Sequence, residues 1–229
     1  MIIVLPIIYY YCCKRFISKT EGDGFEQEAV VEKIILLSFY ERRKVMGRKS
    51  RVWIPELYHH ICTRGNNRQN IFHDEIDMIE VFRLLDMIHI DAPISICAYC
   101  VMTNHYHFLL KSETISISKI MSIFNKRYTD YYNRKYNHVG HVFQQRFNSS
   151  PLLTPQDLLE VSRYIHRNPI KTKEPIVSQM EDYSFSSYLL YKYNLKSPFS
   201  YINLQDLPSS IYIPSERTAF HYCEYVESD

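Results

Sequence analysis

The segment His105-Tyr106-His107-Phe108-Leu109-Leu110-Lys111 places two histidines one residue apart inside an apolar run. Alternate residues of a β-strand share a face, so His105 and His107 point to one side, while the aromatic residue that follows each of them points to the other. Such a strand buries its aromatic side and presents two imidazoles on the opposite side. Paired imidazoles form half of a binding site for a divalent cation.

The hydrophobic pattern around this strand predicts a β-α-β-β-α-β order of elements, followed by one more helix. The predicted elements are a strand over 57–63, a helix from Asp74 to about His89, a strand over 94–102, the histidine strand over 105–111, a helix from Ser116 or Ser118 to Tyr136, an extended segment over 141–153, and a helix that starts at Thr154. This order is typical of an α+β, ferredoxin-like (RRM-like) fold, in which helices pack on one face of an antiparallel sheet. The additional helix is then a C-terminal element outside the β-α-β-β-α-β core.

The last predicted helix carries a second group of chemically useful side chains. Thr154 is a suitable N-cap with Pro155 at the first helical position, and Pro169 predicts that the helix ends near Asn168. Tyr164 and Asn168 are four residues apart and are therefore neighbours on one helical face. If the helix lies across the histidine-bearing face of the sheet, an amide oxygen and a phenol converge on the two imidazoles. An amide oxygen suits a hard divalent ion, and a phenol near a cation can act as a nucleophile.

Spacing alone leaves other assignments open. Tyr128, Tyr131 and Tyr132 are rival nucleophiles, from which Tyr164 is distinguished by the asparagine one turn later. His166 points about 200° away from Tyr164 around the helix, so it suits a supporting or DNA-facing position better than that of a ligand.

Two further histidines, His59 and His60, lie in the first predicted strand. A histidine within a strand is more often structural than a ligand, so we interpret both as structural. His60 is the one that we expect to lie near the site.

The chain contains six cysteines, whose spacing indicates neither a disulfide framework nor a zinc site. Cys97 and Cys100 form a CxxC pattern inside a predicted strand, where their side chains would face opposite ways. Reduced thiols and a cytoplasmic location are therefore expected. The apolar residues 1–13 are too short to span a bilayer and lack the features of a secretory signal, so no membrane association is predicted.

Seven basic or amide side chains are candidates for contacts with a polyanion. They are Arg64, Asn66, Asn67 and Arg68 in the loop after the first strand, together with Lys126, Arg127 and Arg146. Residues 46–194 hold 18 Lys and Arg against 14 Asp and Glu, although the formal net charge of the whole chain is only +2. This mildly basic centre is compatible with a nucleic-acid partner and does not require one.

Five segments match one known family, in order, between residues 46 and 193. They are YHHICTRGNNR at 58–68, VMTNHYH at 101–107, GHVFQQRF at 140–147, YIHRNP at 164–169 and YSFSSY at 183–188. The HYH at 105–107 resembles the HUH motif (histidine, bulky hydrophobe, histidine) of single-tyrosine DNA transposases. The set as a whole is similar in particular to REP-associated tyrosine transposases and related IS200-like insertion-sequence transposases.

The resemblance also divides the chain and has two departures. Residues 46–193 form the predicted transposase domain, with residues 1–45 as an N-terminal extension and residues 194–229 as a C-terminal tail, to which no role is assigned. Thr103 stands where many relatives have proline, and Asn168 stands where some have glutamine.

The resemblance implies a function and a role for each site residue. Tyr164 would be the nucleophile, His105 and His107 would bind Mg²⁺ or Mn²⁺, and Asn168 would be the third ligand. Proteins of this kind cleave and rejoin single-stranded DNA, often recognised as hairpins at element ends or repeats, through a 5′-phosphotyrosine intermediate and without a nucleotide cofactor. Homodimers are common among the insertion-sequence relatives and less uniform in the REP-associated branch.

Two alternatives have a different functional class. A domesticated or inactive protein derived from such a transposase would bind DNA hairpins sequence-specifically without cleaving them. A metal-dependent hydrolase would use water as its nucleophile, and it would need further carboxylate or histidine ligands that are not evident near the motif.

Overall fold

The structure, a computed structural model, describes residues 51–211 and 218–228. The strands are β1 (His59–Arg64), β2 (Ser95–Met102), β3 (His105–Lys111) and β4 (Asn148–Pro151). The helices are α1 (Glu75–Asp91), α2 (Ile117–Tyr136), α3 (Pro155–Lys171), α4 (Tyr188–Lys192), α5 (Asp206–Ser209) and α6 (Ala219–Glu227), with 3₁₀ turns at Asn66–Arg68 and Met180–Asp182. The predicted N-terminal extension, residues 1–45, lies outside the described residues.

The strands form one antiparallel sheet in the order β2-β3-β1-β4. With α1 joining β1 to β2 and α2 joining β3 to β4, this is the β-α-β-β-α-β arrangement of a ferredoxin-like fold, and the predicted fold class is confirmed. The histidine strand has the predicted bounds. The predicted extended segment over 141–153 is regular only in β4, and Phe143 adds an isolated bridge to Gly65.

The sheet separates two hydrophobic clusters. On one face, alternate residues of β3 such as Tyr106 and Phe108 pack with the buried sides of α1 and α2. Ser116 caps α2 as predicted, since its side chain accepts a hydrogen bond from the Lys119 N–H. On the other face, α3 packs over β2 and β3, with Ile165 among its buried residues.

A β-bulge in β2 changes which side chains share a face. The register between β2 and β3 shifts between Ile96 and Ala98, so Cys97 is the additional residue. Cys97 and Cys100 therefore both lie in the cluster under α3, and the expectation that they face opposite ways is wrong. Both are buried free thiols.

The helix that carries Tyr164 begins as predicted and ends later. Thr154 and Asp157 form a capping box, with Pro155 in the first turn. Pro169 lies inside α3, which continues to Lys171, so the prediction of an end near Asn168 is wrong. Because Pro169 is in the last turn, it removes only the hydrogen bond that its own N–H would have made there, which the remaining packing tolerates.

The described part of the C-terminal segment packs against α3. Tyr222 and Val226 of α6 are fully buried, and the Tyr222 hydroxyl donates to Ser162 Oγ at 2.9 Å. Arg167 of α3 donates to the Ser228 carbonyl at 2.7 Å. No helix among the described residues is long and apolar enough to cross a membrane.

Candidate functional site

The candidate site lies between β3 and α3. The ring centroids of His105 and His107 are 5.0 Å apart with an interplanar angle of 89°. The Tyr164 ring stands edge-on to His107, with centroids 5.4 Å apart and an interplanar angle of 87°. The Asn168 side chain lies close enough to His105 to raise the pKa of its imidazole. The four residues predicted from the sequence thus lie together on the α3 side of the sheet.

The hydrogen bonds of His105 define where its proton sits. Its Nδ1 lies 2.6 Å from Asn104 Oδ1, while Asn104 Nδ2 donates to the Arg68 carbonyl at 3.2 Å. Because an amide oxygen can only accept, His105 must donate from Nδ1. Neutral His105 therefore has a free lone pair on Nε2, the nitrogen that can bind a metal.

Asn168 is oriented by its own helix. Its Nδ2 donates to the Tyr164 carbonyl at 2.9 Å, one turn earlier in α3. A neighbouring group that raises the pKa of His105 stabilises its protonated form, as the Asn168 amide oxygen would. The same oxygen is a suitable ligand for a hard cation.

His107 is almost fully buried, and both of its nitrogens have polar neighbours. Its Nδ1 lies 3.0 Å from His60 Nε2, and the two rings lie edge to edge with centroids 5.2 Å apart. Its Nε2 lies 3.9 Å from Cys62 Sγ. These contacts exist because Cys62 is opposite His107 in the β1–β3 register, which puts His60, Cys62 and Arg64 on the histidine-bearing face.

Both candidate ligands are held neutral at neutral pH. Burial lowers the pKa of His105 to about 4, the positive charge of Arg64 adds to the lowering, and the neighbouring Asn168 side chain opposes it. Burial also lowers the pKa of His107 far below its usual value, as do the neighbouring His105, His60 and Arg64. A neutral imidazole is the form that binds a metal.

These residues fit a weakly held hard cation. Two imidazole nitrogens and one amide oxygen suit Mn²⁺ or Mg²⁺ and leave coordination positions for water or phosphate oxygens. Within residues 51–211 and 218–228, no group of three His, Cys, Asp or Glu side chains could hold a metal ion. A closed zinc site of the structural type is therefore not present in this part of the chain.

Tyr164 differs from its rivals in exposure and surroundings. Its side chain is 54% exposed, and its ring lies edge-on to His60 as well, with centroids 6.1 Å apart. The hydroxyl of Tyr128 donates to the Ile71 carbonyl, and that of Tyr131 donates to Asp77. Tyr128, Tyr131 and Tyr132 all belong to α2, which packs on the opposite face of the sheet from the histidines.

The seven candidate DNA-binding residues fall into two groups. Arg64 and the turn Asn66–Arg68 are exposed at the end of β1, where Arg64 is opposite His105 in the register. Lys126 and Arg127 are on α2, and Lys126 pairs with Asp130 at 2.7 Å. Arg146 lines a groove of about 590 Å³ beside α2. The structure therefore places the first group beside the site and does not bring the second group to it.

Three residues of β1 that lie beside the site have a recognisable pattern in the sequence. His60, Cys62 and Arg64 alternate on β1 with the same period as the two histidines on β3, and pairing the strands puts them on one face. Asn104 directly precedes His105. A period-two pattern on both strands could have indicated these three residues, whereas the bond that His105 donates to Asn104 depends on the turn geometry.

His166 is a structural residue. It is fully buried, with Nε2 2.8 Å from Ser187 Oγ and Nδ1 3.0 Å from the Tyr222 hydroxyl. It is therefore not DNA-facing, as the sequence allowed, because α4 and α6 cover that side of α3. His59 is also fully buried and structural, since its ring contacts the Leu57 carbonyl and the Ile54 N–H.

Comparison with known proteins identifies the family. The family described as "Transposase IS200 like" matches residues 54–168, about half of the chain. This range holds β1, β3 and all four predicted site residues. The chain belongs to the IS200-like transposase family, whose members are DNA-processing enzymes.

Two solved structures are similar to this chain. The REP-associated tyrosine transposase bound to a REP hairpin is 20% identical, with 69% of this chain and 93% of that chain covered and a TM-score of 0.56. A putative transposase from Deinococcus radiodurans R1 is 15% identical, with 53% of this chain and 97% of that chain covered and a TM-score of 0.38. The first of these similarities supports the fold. No curated protein matches the chain significantly.

Proposed function

We propose that this transposase cleaves and rejoins single-stranded DNA by transesterification, with Tyr164 as the nucleophile. The observation that carries the proposal is the position of the half-exposed Tyr164 ring, edge-on to His107, on the same helical face as Asn168. A DNA strand can reach this phenol from solvent. The hydroxyl groups of Tyr128 and Tyr131 are instead engaged in hydrogen bonds in the layer on the other side of the sheet.

The reaction conserves the phosphodiester. Tyr164 Oη loses its proton and attacks the phosphorus, so that a tyrosyl O–P bond forms while the P–O3′ bond breaks and the 3′ oxygen takes up a proton. The products are a 5′-phosphotyrosine and a free 3′-hydroxyl. Rejoining is the reverse attack by a 3′-hydroxyl. Because one ester replaces another, no nucleotide cofactor is needed.

His105, His107 and Asn168 are the proposed ligands of Mg²⁺ or Mn²⁺. When bound, the ion supplies Lewis-acid polarisation of the scissile phosphate. The residues of the chain keep the ligand atoms available, since Asn104 fixes the His105 tautomer and the Tyr164 carbonyl orients Asn168. Burial keeps the two imidazoles neutral, which prevents proton competition for their lone pairs.

The proposed substrate is single-stranded DNA that forms hairpins at element ends or repeats. The exposed Arg64 and the turn Asn66–Arg68 border the site and supply donors for phosphate oxygens. A structurally similar protein was solved bound to a REP hairpin, which supports the same class of ligand for this chain. A homodimer and a cytoplasmic location are predictions from the sequence, as are the boundaries at residues 45 and 193.

The test is formation of a covalent adduct. Purified protein is mixed with 5′- or 3′-labelled single strands taken from the DNA that flanks its own gene, with Mn²⁺ or Mg²⁺, and then separated under denaturing conditions. We expect an adduct that carries the label 3′ of the cut, since the tyrosine holds the 5′-phosphate. Tyr164→Phe should reduce adduct formation by about three orders of magnitude or more, to background.

Tyr132→Phe is the matched control, because it removes a rival hydroxyl from α2. It should form the adduct as the wild type does. An adduct that survives Tyr164→Phe would contradict the assignment of the nucleophile. Hairpin binding by the wild type with no adduct under any metal condition would favour the non-cleaving, domesticated alternative.

A further inference from the structure

His60 on β1 has no part in the chemistry proposed above, yet it contacts a proposed ligand. Its Nε2 lies 3.0 Å from His107 Nδ1, and the two rings lie edge to edge and nearly coplanar, with an interplanar angle of 21°. His107 itself is only 3% exposed. The position of His107 is therefore determined on its Nδ1 side by this one imidazole.

A single proton in this contact decides whether His107 can bind a cation. If His107 carries the proton on Nδ1, its Nε2 has a free lone pair. If His60 carries the proton on Nε2, a neutral His107 must carry its own proton on Nε2 and has no lone pair to offer there. The tautomer of His60 and the ligand capacity of His107 are thus coupled.

We propose that His60 is a positioning residue that accepts a hydrogen bond from His107 Nδ1–H and thereby keeps the His107 Nε2 lone pair directed into the site. The inference rests on the proposed function, in which His107 is a ligand. It gives His107 the same arrangement as His105, where Asn104 can only accept. Ligand histidines commonly donate their second N–H to such a partner.

The surroundings of His107 Nε2 agree with this direction. The neighbouring Cys62 Sγ lies at 3.9 Å, and a thiol S–H is a weak donor. An S–H donor beside His107 Nε2 is compatible with a lone pair, and not a proton, on that nitrogen. An incoming cation would displace this weak contact at little cost.

The first experiment reads the tautomer in metal-free protein. Long-range ¹H–¹⁵N NMR on ¹⁵N-histidine-labelled wild type should show the Nδ1–H tautomer of His107. In His60→Leu, which removes the acceptor, the His107 signals should move toward a mixture of the two tautomers or to Nε2–H. His60→Gln, whose Oε1 can accept the same bond, should retain Nδ1–H.

The second experiment measures affinity for Mn²⁺ by the EPR signal of the free ion. His60→Leu should weaken binding by about 10- to 100-fold, and His60→Gln by much less. His141→Leu is the matched control, since His141 is exposed and lies outside the site. The Mn²⁺ affinity of this variant should equal that of the wild type. Thermal unfolding of each variant shows whether it is folded. If His60→Leu does not fold, the tautomer of His107 in the wild type and in His60→Gln still tests the inference.

The outcomes separate the inference from the proposed function. An Nε2–H tautomer of His107 in the wild type, or equal Mn²⁺ affinity in folded His60→Leu and wild type, would overturn the role of His60. Absence of Mn²⁺ binding by the wild type would instead count against the metal site. In that case the NMR comparison of His60→Leu with the wild type still decides whether His60 sets the tautomer.

Discussion

Two buried polar clusters lie on opposite faces of the sheet and are completed in different ways. Between α1 and α2, the Asp77 carboxylate is fully buried and accepts four hydrogen bonds, from Lys135 Nζ, the Tyr131 and Tyr136 hydroxyls and the His73 N–H. Under α3, the imidazoles of His105 and His107 have partners on their Nδ1 atoms. The Nε2 atom of His107 lies 3.9 Å from Cys62 Sγ, a weak contact, and the Asn168 side chain lies beside His105.

The difference distinguishes a cluster that stabilises the fold from one that can bind a ligand. An ionised carboxylate has about four acceptor positions, and in Asp77 all of them are filled from within the protein. The histidine cluster uses its Nδ1 atoms for contacts within the protein, and the proposed tautomers leave the Nε2 lone pairs available to a cation.

The largest effect is expected on the α3 side, from loss of a proposed ligand. His105→Ala should reduce DNA cleavage by about 100-fold or more at any Mn²⁺ or Mg²⁺ concentration, because the ion loses one of two imidazoles. The free energy of unfolding of the metal-free protein should change little by comparison, since His105 lies at the end of β3. Undiminished cleavage across a full metal titration would remove the metal from the mechanism.

On the face covered by α1 and α2, we expect a loss of stability without a loss of cleavage. Asp77→Asn should lower the free energy of unfolding by about 3 kcal/mol, because an amide NH₂ replaces one of the two buried oxygens and leaves at least one buried donor without an acceptor, although Lys135 keeps its ion pair with Asp74. Urea denaturation measures this change. Cleavage by the folded fraction should be unaffected, since Asp77 lies across the sheet from the site.

The exposed pair Lys126–Asp130 provides the control for Asp77. Both side chains are more than half exposed, so Asp130→Asn should change the free energy of unfolding by less than about 0.5 kcal/mol. A change as large as that of Asp77→Asn would show that burial does not explain the difference. Loss of cleavage in folded Asp77→Asn would show that the two clusters are not independent.

Local sequence patterns were sufficient for the strand and helix that form the site. Alternation defined β3, and the capping residues defined the starts of α2 and α3. The position of α3 across the histidines was only a condition of the sequence argument, because this helix lies outside the β-α-β-β-α-β core. The resemblance to single-tyrosine transposases, and not the topology, indicated that His105, His107, Tyr164 and Asn168 act together.

The features that the sequence did not provide depend on registers and on long-range packing. The bulge at Cys97 cannot be located by a period of two, because an added residue is visible only against the partner strand. Pro169 violates a local rule that matters less in the last helical turn. The contact between His60 and His107 joins residues 47 apart, and only the β1–β3 register creates it.

Acid should destabilise the two faces in separate pH ranges. Burial lowers the pKa of His166 to about 3, well below the value of about 6.5 in an unfolded chain. The unfolded state therefore binds more protons between these values, and the free energy of unfolding should fall as the pH drops through this range. His166→Gln should reduce the slope of the free energy of unfolding against pH in this range, by at most about 1.4 kcal/mol per pH unit.

Asp77 should act only at lower pH. Burial raises its pKa, but the hydrogen bonds from Lys135, Tyr136, His73 and Tyr131 outweigh this and leave the pKa below its usual value. Its contribution to stability is present above about pH 4, the unfolded pKa, and is lost as the pH falls further. Denaturation of metal-free protein at a series of pH values measures both ranges. A free energy of unfolding that does not change between pH 6.5 and 4.5 would contradict the effect predicted for His166.

The smallest expected effect distinguishes the basic residues of the two faces. In a Tyr164→Phe background, which separates binding from cleavage, Arg64→Gln should weaken binding of a single-stranded hairpin by about 1 kcal/mol. It should also reduce the slope of log affinity against log salt by about 0.7 to 0.9, the value for one phosphate contact. Lys126→Gln should change neither quantity, because Lys126 already pairs with Asp130 on the α2 side. Equal losses in both variants would mean that DNA contacts the two faces alike, and the division between a stabilising face and a binding face would then hold for the metal site alone.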